Sequence, residues 1–355
     1  MPADSSTHPY ASLTPDVVLN ALESLGLQCD GRLLALNSYE NRVYQVGLEP
    51  SSRESLTREP VVAKFYRPAR WSDAQILEEH AFAHELAEAE VPVVAPLVFE
   101  GRTLREFDGF RFAVFPRRGG RAPELDDPET LEWLGRFIGR IHAVGGTKPF
   151  KARPRLDIES FGEEPRAFLL ASNFIPDDLK PAWKQVAELA LEGVRACFAR
   201  AGDVAYLRVH GDCHASNVLW TPPGTDHSSK PDVVCPPRSI GGPHFVDLDD
   251  ARMAPAVQDF WMLISGDRHA MGSQLGKLLK GYEDFVEFDD RELHLVEALR
   301  TLRLLHYSAW LARRWDDPAF PIVFPWFNGA RYWQDRVLEL REQVAAMQEP
   351  PLVPA

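Results

Sequence analysis

Three polar side chains in two short segments provide the groups that phosphoryl transfer from ATP requires. Asp212 and Asn217 lie five positions apart, and Asp247 comes later in the chain, after an apolar pair. In this chemistry one Asp receives or orients the hydroxyl of the acceptor, whereas an Asn and a second Asp hold magnesium against the phosphates. We therefore predict that Asp212 and Asp247 are catalytic and that Asn217 and Asp247 are ligands of Mg²⁺.

The residues around Asp212 indicate which kind of catalytic loop the segment resembles. Residues 210–217 read HGDCHASN, and the Asp-to-Asn interval equals that of the protein-kinase catalytic loop. A Gly before the Asp and a His two positions after it resemble the aminoglycoside and choline kinase branch of that fold. Zinc is the alternative for the histidines, but no third ligand follows at helical spacing, so His210 and His214 are predicted to support the loop by hydrogen bonds. A polar loop that merely ends a strand is disfavoured, because Asp247 follows in the order that a kinase needs.

Lys64 is the candidate for pairing with the α- and β-phosphates. It ends the run Val62-Ala63-Lys64 in a predicted strand, upstream of a helix and of the catalytic loop, as the kinase order demands. A lysine in an edge strand is the alternative. Its partner should be a carboxylate on the following helix, where Glu78 and Glu79 project about 100° apart. Glu79 is favoured, since apolar residues three, four and seven positions later mark the buried face.

The phosphate-binding turn has to be residues 36–42, which contain no glycine. Asn37 and Asn41 tolerate left-handed backbone geometry, and Ser38 has a backbone N–H and a hydroxyl to offer to a β- or γ-phosphate. A polar hairpin turn without a ligand explains the same residues equally well. The predicted nucleotide-binding set is Ser38, Asn41, Lys64, Glu79 and Phe115, the last being at the end of a predicted strand.

The elements that must position these side chains fall into two parts. Up to residue 116 the pattern predicts a short helix from Thr14, a β-hairpin over 32–48, a strand over 61–66, a helix from Ser72 to about Glu90 and three short strands over 97–116. Beyond it, helices are predicted over 129–144 and near 180–200, 255–267, 271–287, 291–315 and 329–347, with short strands near 218–220 and 244–248. The sequence thus predicts an N-terminal ATP-binding lobe (1–116), a Gly/Arg-rich hinge (117–122) and a C-terminal catalytic lobe (123–355) with a flexible insertion at 221–243.

Composition limits the classes of function. The chain has 355 residues, of which 45% are hydrophobic and 26% charged, and its net charge of −13 argues against broad nucleic-acid binding. No apolar run approaches the length of a membrane span, the first residues lack the features of a signal peptide, and the four scattered cysteines are typical of reduced thiols. We therefore expect a cytoplasmic protein without nucleic-acid or membrane partners. A monomer is also predicted, although nothing in the composition bears on the oligomeric state.

Five longer sequence segments show a resemblance to one family within this kinase superfamily. They are LNSYENRVYQ (36–45), VAKFYRP (62–68), HGDCHASN (210–217), FVDLDDAR (245–252) and RRW (313–315). These runs look like the stress response kinase A family, also called the RdoA/YihE family, and the resemblance extends from about residue 8 to residue 352. It implies an α+β, bilobal, protein-kinase-like fold with a small sheet-plus-helix lobe and a larger helical lobe. It also implies an ATP- and Mg²⁺-dependent serine/threonine protein kinase of the bacterial stress response. Ser38 is in addition a candidate for autophosphorylation, because a loop hydroxyl beside the γ-phosphate is well placed to receive it.

The resemblance also assigns roles by position. It makes Asp212 the catalytic Asp, Asn217 and Asp247 the magnesium ligands, Ser38 the phosphate-loop serine and Asp259 a structural residue that anchors the catalytic loop. The chain departs from the family pattern in two segments. Residues 51–60 form a longer and more polar segment than the family pattern has, and residues 221–243 form an insertion. The insertion separates Asn217 from Asp247 by about thirty residues instead of about a dozen, which is tolerable because a long surface insertion costs little.

Other possibilities remain open at this point. A small-molecule kinase that phosphorylates an amino alcohol or sugar hydroxyl has the same loop, and an acidic chain could attract a cationic acceptor. A pseudokinase scaffold is disfavoured because Lys64, Asp212, Asn217 and Asp247 are all present. Asp249 and Asp250 either assist a second metal or satisfy the loop. The aromatic residues between Trp310 and Phe327 either pack in the core or line the acceptor site.

Overall fold

The computed structural model describes residues 8–49, 60–221 and 242–355. Both departures noted above, residues 51–60 and the insertion at 221–243, lie almost entirely outside these ranges. The helices are α1 Pro15–Glu23, α2 Asp73–Glu88, α3 Pro128–Gly145, α4 Glu164–Ala171, α5 Lys180–Ala201, α6 Arg268–Tyr282, α7 Val296–Arg313, α8 Ala319–Val323 and α9 Ala330–Ala346. The strands are β1 Cys29–Ala35, β2 Arg42–Leu48, β3 Val61–Phe65, β4 Arg105–Phe107, β5 Phe110–Pro116, β6 Leu207–Val209, β7 Val218–Thr221, β8 Gly242–Phe245 and β9 Arg252–Ala254.

Backbone contacts divide the chain into two compact units. The first comprises Met1–Pro123 with Ser216–Asp249, and the second comprises Glu124–Ala215 with Asp250–Ala355. The segment Ser216–Asp249 belongs with the first unit because β7 and β8 pair with each other, Val94 N–H donates to Phe245 O (3.0 Å) and Trp220 N–H donates to Arg121 O (2.7 Å). The lobe boundaries predicted from the sequence stay a prediction, and these units differ from them in where residues 216–249 are placed.

The first unit is built on an antiparallel five-stranded sheet with the order β1-β2-β3-β5-β4. Side chains alternate between the faces of a strand. Ala63 and Phe65 of β3 therefore point into the core formed with α1, and Lys64 points to the opposite face, where Ile76 of α2 packs on Tyr66.

Helix α2 begins where the sequence predicts. The Ser72 hydroxyl accepts a hydrogen bond from Gln75 N–H (3.3 Å), and the Gln75 side chain accepts one from Ser72 N–H (2.8 Å). This reciprocal capping satisfies two backbone donors that the helix itself leaves without partners. Glu79 lies on the buried face with Ile76 and is 3% exposed, whereas Glu78 is half-buried. Glu79, the predicted choice, is therefore the inward-facing carboxylate of the two.

The second unit is mainly helical, and two of its differences from the sequence prediction concern the catalytic loop. The helix predicted over 255–267 is absent, and two short 3₁₀ turns, Ala256–Asp259 and Trp261–Leu263, occupy that segment. The turn directs Asp259 at the backbone of residues 210–211, as described below. The sequence also gave no sign of β6 and β9, which pair antiparallel on either side of the catalytic loop. Among the residues described, no helix is both long and apolar enough to cross a membrane.

Candidate active site

A cavity of about 310 Å³ lies in the first unit. Its apolar lining includes Val43, Val62, Ala83, Val94, Phe115, Leu219 and Val246, and its polar lining includes Ser38, Lys64, Glu79, Asn217 and Asp247. Five predicted ligand-binding residues therefore meet in one cavity, together with the predicted Phe115. Asn41 is not among the lining residues. An apolar wall beside a cluster of charges matches the two chemical halves of a nucleotide, the base and the phosphates.

Lys64 is the charge at the centre of this cavity. Its Nζ lies 2.9 Å from Asp247 Oδ1, 3.1 Å from Asp249 Oδ1 and 3.8 Å from Glu79 Oε1. The ion pair predicted between Lys64 and Glu79 is present. Burial alone would lower the pKa of Lys64, but these three carboxylates outweigh it and hold the pKa well above its usual value. The side chain is therefore a permanent cation in a buried position.

Asp249 and Asp250, whose roles the sequence left open, each have a basic partner. Asp249 is 2% exposed and lies between Lys64 and Arg70, whose guanidinium contacts its Oδ2. Asp250 pairs with Arg252 at 2.7 Å. Both contacts favour a role in holding the loop together over one in binding a second metal.

Other residues hold the glycine-free turn at 36–42 in place. Asn41 is 3% exposed, and its amide oxygen accepts a hydrogen bond from Arg67 N–H at 3.1 Å. The Tyr10 hydroxyl lies 3.1 Å from Glu40 O and 3.3 Å from Phe65 O, and Arg42 stacks on the Tyr10 ring. Side-chain contacts therefore fix this turn, where other phosphate loops rely on glycine to adopt their shape.

The oxygen donors in the cavity fit a magnesium ion. The Asp247 side chain is 51% exposed, and its backbone has φ +60°, a left-handed conformation that is strained for a residue with a side chain. Asn217 also lines the cavity. Its backbone carbonyl accepts a hydrogen bond from Val246 N–H at 3.0 Å, which ties Asn217 to the residue before Asp247. One carboxylate and one amide leave positions for phosphate and water oxygens, as magnesium prefers. Within the described ranges, no three His, Cys, Asp or Glu side chains are grouped to hold a metal by themselves.

The catalytic-loop segment lies in the second unit and is held by Asp259. The Asp259 carboxylate accepts hydrogen bonds from His210 N–H and Gly211 N–H, each at 2.8 Å, and lies 3.0 Å from His142 Nε2. Gly211 has φ +85°, and a Cβ on it would lie 2.2 Å from Asp250 O. The glycine of the HGD motif is therefore required by close packing as well as by backbone conformation. His210 is fully buried, and its Nδ1 accepts from Asp212 N–H at 3.4 Å.

Asp212 is placed between two basic side chains. Its Oδ1 lies 2.6 Å from Arg303 Nη1, and its Oδ2 lies 3.4 Å from His214 Nε2. Burial raises the pKa of the Asp212 carboxyl, but the hydrogen bond from His214 and the charge of Arg303 outweigh it and hold the pKa below its usual range. Asp212 is therefore ionised at neutral pH and is available as a hydrogen-bond acceptor.

Sequence reasoning missed three residues of this arrangement: Tyr10, Arg70 and Arg303. Tyr10 and Arg70 lie outside the motifs, and Arg303 lies ninety-one positions from Asp212, so local spacing carried no signal for any of these contacts. Three of the six aromatic residues left open are core: Phe320 and Phe327 are fully buried and Phe324 nearly so. Trp310 and Trp315 are half-buried, and Trp326 is 46% exposed.

Comparison with known proteins agrees with this geometry. The family described as "Phosphotransferase enzyme family" matches residues 32–229. "Stress response kinase A" of Escherichia coli (strain K12) is 44% identical over 349 residues, which cover 98% of this chain and 98% of that protein. "Serine/threonine protein kinase RdoA" of Salmonella typhimurium (strain LT2) is 43% identical over 343 residues, with coverage of 97% and 96%. The chain belongs to the stress response kinase A family. It is accordingly an ATP-dependent phosphotransferase, and the resemblance predicted from the sequence is confirmed.

Solved structures show the fold of this stress response kinase A family member. Amicoumacin kinase hAmiN, in complex with AMP-PNP, Ca²⁺ and Ami, aligns with a TM-score of 0.67 and 18% identity, covering 96% of this chain and 95% of that chain. A microcompartment-associated aminopropanol kinase aligns with a TM-score of 0.62 and 18% identity, with coverage of 93% and 96%. The predicted α+β fold of the aminoglycoside phosphotransferase type is thereby confirmed.

Proposed function

We propose that the chain transfers the γ-phosphoryl group of ATP, with Mg²⁺, to a serine or threonine hydroxyl of a protein. The observation that carries the proposal is the ionised Asp212 on a loop whose backbone Asp259 fixes. The relatives named above as a serine/threonine protein kinase and as stress response kinases support both the acceptor class and a role in stress. We propose further that the chain works as a cytoplasmic monomer, for which the thiols of Cys29, Cys197 and Cys213 fit a reducing compartment.

The cavity residues have complementary roles towards ATP. Lys64 pairs with the α- and β-phosphates and is held for this by Glu79, while Phe115 packs against the base. Ser38 donates from its backbone and hydroxyl to a terminal phosphate. Asn41 does not reach the ligand in this proposal and instead keeps the turn in place through Arg67.

Asn217 and Asp247 would hold the magnesium ion. When bound, the ion neutralises charge on the phosphate oxygens. Asp247 turns its carboxylate into the cavity by adopting a strained backbone, and a neighbouring backbone hydrogen bond fixes Asn217. Strain that persists at one exposed carboxylate is typical of a residue retained for function.

Asp212 orients the acceptor. Its carboxylate accepts a hydrogen bond from the hydroxyl, which directs a lone pair of that oxygen to the γ-phosphorus. As the new P–O bond forms, Asp212 receives the proton, and the bond between the γ-phosphorus and the β,γ-bridging oxygen breaks, so that ADP leaves with its electron pair. His214 and Arg303 keep it ionised and fix its position. A protein hydroxyl is favoured over an amino alcohol by the name of the Salmonella relative, a serine/threonine protein kinase.

The test is transfer of label from ATP with magnesium to generic protein substrates and, separately, to a panel of amino alcohols and sugars. The proposal predicts labelled phosphoserine or phosphothreonine in the protein arm. Labelling confined to a small molecule would replace it with a small-molecule kinase. Labelling of neither, by protein that binds ATP in calorimetry, would point to a scaffold.

A further inference from the structure

Arg303 is the charged side chain best placed to contact an acceptor at Asp212. It lies on α7, with Nη1 2.6 Å from Asp212 Oδ1, and its side chain is 39% exposed. In the part of the chain that the structure describes, Asp212 is the one carboxylate at ion-pair distance from Arg303. A guanidinium has five N–H donors in a planar fork, and one carboxylate takes two at most. At least three donors are thus left over on a side chain that is partly exposed.

The neighbouring charges are neutralised by partners of their own. Arg252 pairs with Asp250 at 2.7 Å, and Arg313, further along α7, pairs with Glu164 at 3.0 Å. His306, one turn after Arg303, stacks on Phe161 at 4.3 Å. Burial, aided by the nearby arginines, lowers the pKa of His306 to about 3, so it carries no charge at neutral pH. Arg303 differs from these groups because its partner is the catalytic carboxylate itself. Its charge is therefore the one that an acceptor experiences once Asp212 takes the proton of the hydroxyl.

We propose that Arg303 selects acceptors that carry a negatively charged side chain next to the serine or threonine. The inference rests on the proposed function and names its substrate class, an acidic sequence around the hydroxyl. When Asp212 turns to accept the hydroxyl proton, the guanidinium exchanges part of its contact with Asp212 for a carboxylate of the acceptor. The guanidinium of Arg303 can make this exchange because an arginine binds a carboxylate with two parallel, charge-assisted hydrogen bonds.

A purely positioning role for Arg303 makes a different prediction. If Arg303 only holds Asp212, its removal lowers kcat for every acceptor by the same factor. If it also selects the acceptor, its removal changes the ratio of kcat/KM between acidic and neutral acceptors. The ratio cancels any general loss of activity, including a loss from partial misfolding.

The experiment uses the full chain with ATP and magnesium and three sets of peptides around a central serine. The sets carry Glu, Gln or Lys at each neighbouring position in turn. For the wild type we expect kcat/KM for Glu to exceed that for Gln by about three- to tenfold at the best position, as for a half-exposed ion pair, and to fall with added salt. Lys should lie below Gln.

Variants at two positions of α7 provide the contrast. Arg303→Gln should bring the Glu/Gln ratio close to one, Arg303→Lys should keep most of it, and Arg303→Glu should favour the Lys peptides. The control is Arg300→Gln, three positions earlier, because Arg300 pairs with Glu297 (3.4 Å) and not with Asp212. It removes the same charge from the same helix and should leave the ratio unchanged.

Two results separate failure of this inference from failure of the proposed function. A wild-type enzyme that phosphorylates all three peptide sets equally, or an unchanged ratio in Arg303→Gln and Arg303→Glu, overturns the selection by Arg303 and leaves the kinase assignment intact. Phosphorylation of no peptide and no protein, with transfer to a small molecule, overturns the proposed function and the inference together.

Discussion

Tyr10→Phe removes one hydroxyl from beneath the glycine-free phosphate turn and leaves the packing of the ring unchanged. That hydroxyl lies 3.1 Å from Glu40 O and 3.3 Å from Phe65 O, and Tyr10 is 4% exposed. Glu40 belongs to the turn, and Phe65 ends the strand that carries Lys64. The substitution therefore weakens the tie between the turn and the strand.

The size of the effect follows from these contacts. A hydroxyl has one proton, so the variant loses about one net hydrogen bond and leaves a buried carbonyl with one donor fewer. The free energy of unfolding should therefore fall by about 1–2 kcal/mol. In a chain of this size we expect a fall in Tm of about 1–3 °C. If the turn binds phosphate only in its fixed conformation, ATP affinity falls by up to the same free energy, which is about five- to thirtyfold.

Thermal unfolding and calorimetric titration with ATP measure the two quantities. The matched control is Tyr44→Phe on the adjacent strand, because Tyr44 is half-buried and its hydroxyl makes no hydrogen bond among the residues described. Unchanged Tm and ATP affinity in Tyr10→Phe, or an equal loss in the control, would refute the claim that Tyr10 fixes the turn.

Three further predictions address the metal, the serine and pH. Removal of magnesium with EDTA should abolish activity, and added magnesium or manganese should restore it. Full activity in the Asp247→Ala variant would contradict the assignment of Asp247 as a magnesium ligand. Ser38→Ala should reduce ATP use by about ten- to a hundredfold, since one hydrogen bond to a charged group is worth about 1.5–3 kcal/mol. Mass spectrometry after incubation with ATP shows whether Ser38 is also an autophosphorylation site. Wild-type kinetics in the variant, together with an unphosphorylated Ser38 in the wild type, would show that Ser38 is only a turn residue. Burial raises the pKa of Glu292 to about 7, so the folded protein keeps a proton that the unfolded chain releases, and the free energy of unfolding should fall as pH rises from about 4.5 to 7. Glu292→Gln should flatten that slope in thermal unfolding measured across this pH range, and an unchanged slope would show that Glu292 does not titrate there.

Local signals were enough to predict several strands and the main helix of the first unit, together with six of the residues that line its cavity. Ser72 and Gln75 identify the start of α2, and strand alternation puts Lys64 on the face opposite Ala63 and Phe65. Each of these signals acts over a few residues. The pattern therefore placed the turn at 36–42, Lys64 and its partner Glu79 together, and the role of the turn towards phosphate stays a prediction.

Contacts between distant segments were not predictable in this way. Arg303 meets Asp212 only because α7 packs beside the catalytic loop, and its position on the helix otherwise suits a solvated charge. Strands β6 and β9 have three residues each, too few to show alternation. The apolar run at 255–267 has the composition of a buried helix, yet Asp259 has to reach the loop backbone, and two 3₁₀ turns place it there.

Asp212→Asn tests the central claim most directly, because it changes one oxygen to an amide and keeps the size of the side chain. Calorimetry with ATP and magnesium should give nearly the wild-type affinity, since Asp212 is assigned to the acceptor hydroxyl and Lys64 to the nucleotide. Phosphoryl transfer, measured with labelled ATP on the same preparation, should be abolished. Equal loss of ATP binding and transfer, or transfer at the wild-type rate, would contradict the assignment of Asp212.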